Sequence, residues 1–211
     1  MVSIKGGRAA GRGGRAGTAT GPAGTFGPGD APQAGHCPDR GDADRGGHGR
    51  LPDAGTTCQA IAALLAGKRD LTVVTNDFYV VTSLLDRPEI QTIHTGGVVD
   101  VSSGSSSGRL ATRTIGAINI DLCFLSTGAW SVSRGVTSPA LDKVELKQEV
   151  MSRSSERVLV ADSTKYGSFT TYAVTALADL DVVITDDGLA ERTRQSIGEL
   201  DVELRIATLQ E

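Results

Sequence analysis

Between Asp53 and Asp186 the chain repeats one local pattern: an apolar run of strand length that ends in a short polar turn. The turns are Asp53-Ala54-Gly55-Thr56-Thr57, Thr75-Asn76, Gly96-Gly97, Asp121 through Gly128, Asp162-Ser163-Thr164-Lys165 and Thr185-Asp186. Several lead into segments whose apolar residues recur at helical spacing, so the repeated unit is strand, turn, helix. A succession of such units predicts an α/β fold built on an open, mostly parallel, Rossmann-like sheet. In sheets of this kind the turns after the strands gather along one edge, where ligands bind. A small-molecule receptor or an enzyme is the function class that follows.

The stretch before the repeat is of another kind. Residues 1–50 mix Gly, Ala, Arg and Pro with no period of 2 or 3.6, a composition that cannot bury enough apolar surface to fold. Disorder is expected there, with a folded domain over 51–211. Lys5, Arg8, Arg12, Arg15, Arg40, Arg45 and Arg50 outnumber Asp30, Asp39, Asp42 and Asp44, so the segment is basic. The whole chain carries a net charge of −4, which leaves the remainder acidic. An acidic surface repels a phosphate backbone, so DNA affinity is not expected from the folded part. The Gly-Arg segment can at most touch nucleic acid nonspecifically.

Cys37, Cys58 and Cys123 are an odd set without paired spacing, which argues against a disulfide framework and fits a reducing cytoplasm. His36, Cys37 and His48 lack the four-ligand spacing of a zinc site, so no metal is expected, and no cofactor motif is present. No apolar stretch approaches the roughly 18 residues of a membrane span, and the N-terminal residues lack a secretory apolar core. The expectation is a cytoplasmic protein without a membrane partner.

Periodicity and stop signals place the elements. Helices are expected over 56–66, 78–85, 110–118, 143–151 and 189–200, and strands over 71–75, 90–95, 122–126, 157–161, 182–185 and 202–206. Thr56 or Thr57 caps the first helix and Gly67 stops it, while Pro88 ends the second. The serine-rich run 102–108 reads as a flexible loop.

Each turn admits a chemical and a structural reading. At Gly55-Thr56-Thr57, free N–H groups and two hydroxyls at a helix start suit a phosphate or carboxylate, or simply cap the helix. Lys165, just past a strand, offers a point charge to an anion, with Asp162 binding sugar hydroxyls or orienting the lysine; the alternative is a surface ion pair. Asn76 is more readily a cap than a contact, and Asp121 a terminator of the turn before its strand. Gly128 and Gly135 flank a loop whose Trp130 either covers a sugar ring or shields the core. Lys143, Glu145 and Lys147 open a helix, where charges usually make a solvated face.

Taken in order, these motifs resemble the effector-binding domain of the DeoR/GlpR family of bacterial transcription regulators. The segments that carry the resemblance are Asp53-Ala-Gly-Thr-Thr57, Val74-Thr75-Asn76, Thr95-Gly96-Gly97, Asp121-Leu-Cys-Phe124, Gly135-Val-Thr137, Glu145-Leu-Lys147, Asp162-Ser-Thr-Lys-Tyr-Gly167 and Ile184-Thr-Asp186. Together they cover about 53–207. The resemblance implies a fold like that of sugar-phosphate isomerases and CoA-transferases, and a phosphorylated sugar or sugar-acid metabolite as effector. It implies a ligand site drawn from Asp53, Gly55, Thr56, Thr57, Thr75, Asn76, Gly96, Gly97, Asp121, Gly128, Lys147, Asp162 and Lys165. The stretch 94–97, with Ser126-Thr127 through Trp130 and Asp142-Lys143, looks closest to members associated with sugar-acid catabolism. A homo-oligomer is implied for a folded domain.

Two departures accompany the resemblance. The family begins with a winged helix-turn-helix, and residues 1–50 carry no pattern for one, so this chain is not expected to recognise an operator. The family also places an apolar strand directly before Asp53, where this chain has Gly46-Gly47-His48-Gly49-Arg50-Leu51-Pro52. Gly and Pro belong at strand edges and breaks, so a central strand is expected to be missing. A frameshift or wrong start joined to a genuine sensor domain accounts for both. Two rivals stand beside the sensor: an aldose-ketose phosphate isomerase with Glu145 or Asp121 as general base, and a nonfunctional regulator fragment.

Overall fold

A computed structural model describes residues 2–4, 56–65 and 68–207. In chain order the elements are β1 (Val2–Ile4), α1 (Thr56–Leu64), β2 (Leu71–Thr75), α2 (Phe78–Leu84), β3 (Ile90–His94), β4 (Val98–Asp100) and β5 (Ser105–Ser107). They continue with α3 (Arg109–Gly116), β6 (Ile120–Leu125), β7 (Trp130–Ser131), β8 (Gly135–Ser138), α4 (Leu141–Arg153) and β9 (Ser154–Val160). The last are β10 (Tyr172–Thr175), β11 (Val182–Asp186), α5 (Glu191–Gly198) and β12 (Glu203–Ala207).

The parallel sheet follows from the apolar runs. Strands buried on both faces need continuous rather than alternating hydrophobicity, and Val-Val-Ile in β11 and Leu-Cys-Phe-Leu in β6 supply it. The order β12-β11-β9-β6 is parallel throughout, and β2 pairs parallel with β3. Successive residues face opposite sides: Cys123, Leu125, Leu159 and Val183 join the main core, while Phe124, Val158, Val182 and Ile184 form a second cluster against Ile61 of α1. Against the main core α4 buries Val144, Val150 and Met151, and α3 buries Ala111 and Ile115 one turn apart.

The α/β class and the parallel sheet agree with the sequence expectation, and three local features do not. The run 102–108, expected as a loop, contains β5, which pairs antiparallel with β4 and is buried at all three serines. Serine reads as a turn residue, but here each hydroxyl has a partner: Ser103 for Ser105, the Gly96 carbonyl for Ser106, and Asp142 for Ser107. The segment around Trp130 forms a small antiparallel sheet, β10-β8-β7, instead of a loop. Val2–Ile4, inside the stretch expected to be disordered, form a strand antiparallel to β2. A composition argument averages over fifty residues and does not register one short Val-Ser-Ile triplet. The rest of that stretch, with His36, Cys37 and His48, lies outside the described residues.

Candidate functional site at the carboxyl edge of the sheet

Parallel strands followed by right-handed crossovers bring their C-terminal turns to one edge, and here the turns are bonded to one another. Thr95 N–H donates to the Thr75 carbonyl at 2.9 Å, joining the ends of β2 and β3. Ser106 N–H donates to the Asn76 carbonyl at 2.8 Å, and Asn76 Nδ2 donates back to the Ser106 carbonyl at 2.8 Å. Because Nδ2 must face that carbonyl, the amide orientation is fixed, and Oδ1 is buried with no hydrogen-bond partner among the described residues. Asp77, fully buried, caps α2 by accepting from Tyr79 N at 2.7 Å and Val80 N at 3.1 Å. Asn76 is thus not the cap; its neighbour is.

Gly96 and Gly97 hold positive φ of 69° and 112°. A Cβ built on Gly97 would lie 2.3 Å from the Ser107 carbonyl oxygen, so only glycine lets β3 run into the β4–β5 hairpin here. Gly96 N–H donates to His94 Nδ1 at 3.1 Å, which places the neutral ring's proton on Nε2. Nε2 lies 3.5 Å from the Ser106 hydroxyl, which donates onward to the Gly96 carbonyl at 2.7 Å. Phe78 stacks on the imidazole at 4.6 Å. Thr75, Asn76 and Gly96, all expected at the site, therefore share one compact network with His94 and Ser106, and Gly97, expected there too, adjoins it at the Ser107 backbone.

The start of α4 closes this network from the other side. Ser107 donates to Asp142, and Lys143 Nζ contacts Asp100 Oδ2 at 2.6 Å and Ser103 Oγ at 3.0 Å. Lys147, one turn later on the same helix face, donates to the Ser126 carbonyl just past β6. Neither lysine belongs to a merely solvated face. Sequence reading missed Asp100, Ser106 and Ser107, and named Asp142-Lys143 only as a mark of subtype and Lys143 as part of a charged helix face. The available signal was Gly104 midway between Val98 and Ser107, the mark of a hairpin turn.

Beyond β9, Lys165 pairs with Asp162 at 2.7 Å with both side chains about one-third exposed, which is the surface ion pair weighed against a ligand role. Asp186 ties the same turn down, accepting from Ser163 N at 2.7 Å, Ser163 Oγ at 2.6 Å and Gly188 N at 2.9 Å. Trp130 is fully buried and donates from Nε1 to the Asp162 carbonyl at 3.3 Å. Of its two readings, core shielding is the one realised.

Asp121 does not join the edge. It is the second residue of β6, beside the register pair Ile120–Ser154, so it sits at the opposite end of the sheet with Oδ2 buried and unpartnered among the described residues. Gly128 is exposed and nothing lies within 4 Å of a built Cβ. Thr56 and Thr57 begin α1, while Asp53 and Gly55 lie outside the described residues. Among the described residues no group of three His, Cys, Asp or Glu side chains is arranged to hold a metal.

Three carboxyls at this edge lie below the usual carboxylate range. At Asp100 the Lys143 ammonium is the main cause, helped by the Ser102 and Ser103 hydroxyls. At Asp162 partial burial raises the value, but the bonds from Lys165 and Thr164 outweigh it; at Asp186 the bonds from Ser163 and Gly188 do the same. Burial pushes the Cys123 thiol up, so it stays protonated and unreactive. A carboxyl whose folded value is depressed contributes stability that is complete above its unfolded value, about 4, and is lost as pH falls through the folded values. The melting midpoint is therefore expected to fall below about pH 4, and Asp100→Asn to weaken that dependence. Melts between pH 2.5 and 7 check this, and an acid limb identical in Asp100→Asn would contradict it.

The family model described as the DeoR C terminal sensor domain matches residues 51–187. The chain belongs to the DeoR C-terminal sensor domain family. Among curated relatives, the uncharacterized HTH-type transcriptional regulator YgbI of Escherichia coli K12 is 44% identical over 74% of this chain and 60% of its own length. An uncharacterized HTH-type transcriptional regulator of Haemophilus influenzae is 38% identical over 72% of this chain and 59% of its own. The HTH-type transcriptional regulator GolR of Listeria innocua is 32% identical over 74% and 61%. This DeoR-type chain thus spans about 60% of the length of the relatives it matches. Ribose 5-phosphate isomerase A of Methanocaldococcus jannaschii aligns over 56% of the chain and 45% of its own at 11% identity, with a TM-score of 0.37, too low to support a further argument. No helix among the described residues is long and apolar enough to cross a membrane.

Proposed function

We propose that this chain is the effector sensor of a DeoR-type transcription regulator and that its ligand is a phosphorylated sugar or sugar acid bound at the carboxyl edge of the sheet. The observation that carries the reading is the bonded network of Thr75, Thr95, Asn76, Gly96 and Ser106, adjoined by Gly97 and flanked by Lys147. Such an edge supplies polar backbone, hydroxyls and cations to one small anion. The anionic group sits at the α1 start, Gly55 to Thr57, and against Lys165, which exchanges Asp162 for it. Asn76 Oδ1, an acceptor with no partner among the described residues, receives a ligand hydroxyl. Asp53, Gly96, Gly97, Gly128 and Lys147 complete the proposed contacts, and Asp121 is left out because of its place at the other end of the sheet.

In the whole regulator, effector binding biases how paired DNA-binding heads are placed, so DNA is a partner only through a helix-turn-helix segment. A cytoplasmic homo-oligomer is the setting this role requires. The isomerase rival is disfavoured by its own candidates for the base. Glu145 is exposed and lies 200° around α4 from both Lys143 and Lys147, given a helical step of about 100°. Calorimetric titration with pentose and hexose phosphates is expected to give saturable binding by one class and no isomerisation of ribose 5-phosphate. Turnover abolished by Glu145→Gln would overturn the reading in favour of an enzyme.

A further inference from the structure

We propose that the inner edge of β2 is a strand-acceptor site, which this chain fills with its own residues Val2–Ile4. β2 is buried along its whole length and pairs with β3 at all five residues on one edge. Its backbone groups on the other edge then need a second partner, because buried N–H and C=O groups are almost never left unpaired. β1 supplies one: Val2 stands opposite Val74, Ser3 opposite Val73 and Ile4 opposite Thr72. On its far side β1 lies beside β6, so it occupies the seam between the two groups of parallel strands.

Three features set this occupant apart from the strands around it. It runs antiparallel to β2, whereas the ladders β2–β3, β6–β9, β9–β11 and β11–β12 are all parallel. It covers only Thr72–Val74 of a five-residue strand, leaving Leu71 and Thr75 outside its register. Residues 5–55 separate it from α1, whereas β2 is joined to β3 through α2 alone. A strand paired with β2 over three residues, lying beside β6 and tied to the domain by no short connection, is exchangeable with any chain that offers the same main-chain bonds. An extended apolar peptide of five or six residues can take its place and reach Leu71 and Thr75 as well, the geometry of β-strand addition.

The test uses the full chain with Ser3→Pro, since proline is excluded from a central strand whichever neighbour its N–H would face. The expected result is a lower melting midpoint and at least tenfold faster hydrogen exchange at the amides of Thr72–Val74. A synthetic peptide with the sequence of residues 1–6, added in excess, is expected to restore both, and the same peptide carrying proline at its third position is not. Ser3→Ala keeps every backbone bond and is expected to match the parent chain. Should Ser3→Pro fail to fold, restoration of a cooperative melt by the peptide during refolding is the supporting result. Unchanged exchange in Ser3→Pro, equal damage in Ser3→Ala, or no restoration by the peptide would each overturn the proposal.

Discussion

Replacing Trp130 with alanine is expected to destabilise the folded domain by about 3–5 kcal/mol, the range for removing a buried aromatic side chain. Trp130 is fully buried in the main core, and its ring meets Tyr166 edge-on at 5.0 Å and 78°. Edge-to-face geometry adds to the loss of buried area. Its backbone carbonyl also receives the Gly167 N–H at 2.9 Å, so one residue anchors β7 and both ends of the turn that carries Lys165. Against a typical total of about 5–15 kcal/mol, the loss is a large fraction of stability. The midpoint of a thermal melt is expected to drop by about 10 °C, at ~2–4 °C per kcal/mol for a chain of this size. Trp130→Phe keeps most of the volume and loses the Nε1 bond, and is expected to cost about 1 kcal/mol. A drop of only a degree or two in Trp130→Ala would mean that the ring is not in the core.

Gly135→Ala is expected to be comparably damaging for a different reason. Gly135 opens β8 at φ +65°, and a built Cβ would lie 1.9 Å from the Thr175 carbonyl oxygen and 2.8 Å from Ala176 Cα. Both obstacles are backbone, so no side chain can turn aside, and β8 has to separate from β10 or the segment just after β10 has to move. A cost of about 3 kcal/mol or more is expected, at the upper end for a single substitution. Gly128→Ala is the matched control, because nothing lies within 4 Å of its built Cβ. That change is expected to stay within about 0.5 kcal/mol. Equal midpoints for the two variants in a melt would contradict the close approach of β8 and β10.

The sequence made the parallel sheet legible because β2, β6, β11 and the Val-Leu-Val end of β9 are largely apolar, a pattern with few alternative homes. Thr75, Asn76, Gly96 and Gly97 stood out in the sequence because each ends or follows an apolar run, and in the structure they lie together at the ends of β2 and β3. What escaped was structure built from residues that report turns. Ser106 and Ser107 of β5 sit in a strand with their hydroxyl protons shared with or accepted by Thr95, Gly96 and Asp142, and none of those partners is near in sequence. Lys143 looked like a solvated charge because its partner, Asp100, lies 43 residues away. Asp121, read as ending the turn before its strand, was counted with the site through the resemblance, but as the second residue of β6 it marks the far end of the sheet. The place of Val2–Ile4 was invisible because strand pairing across residues 5–55 leaves no periodic trace.

The measurement that bears most directly on the sensor reading is a thermal melt of the chain alone and with pentose phosphates, hexose phosphates and phosphorylated sugar acids, repeated with Lys165→Ala. A ligand that binds only the folded state stabilises it by mass action, by ~2.7 kcal/mol at a hundredfold excess over its dissociation constant. The account predicts a cooperative transition that one phosphorylated class shifts upward by several degrees, and no such shift in Lys165→Ala. A cooperative melt that no phosphorylated compound moves, or a shift that survives intact in Lys165→Ala, would contradict it.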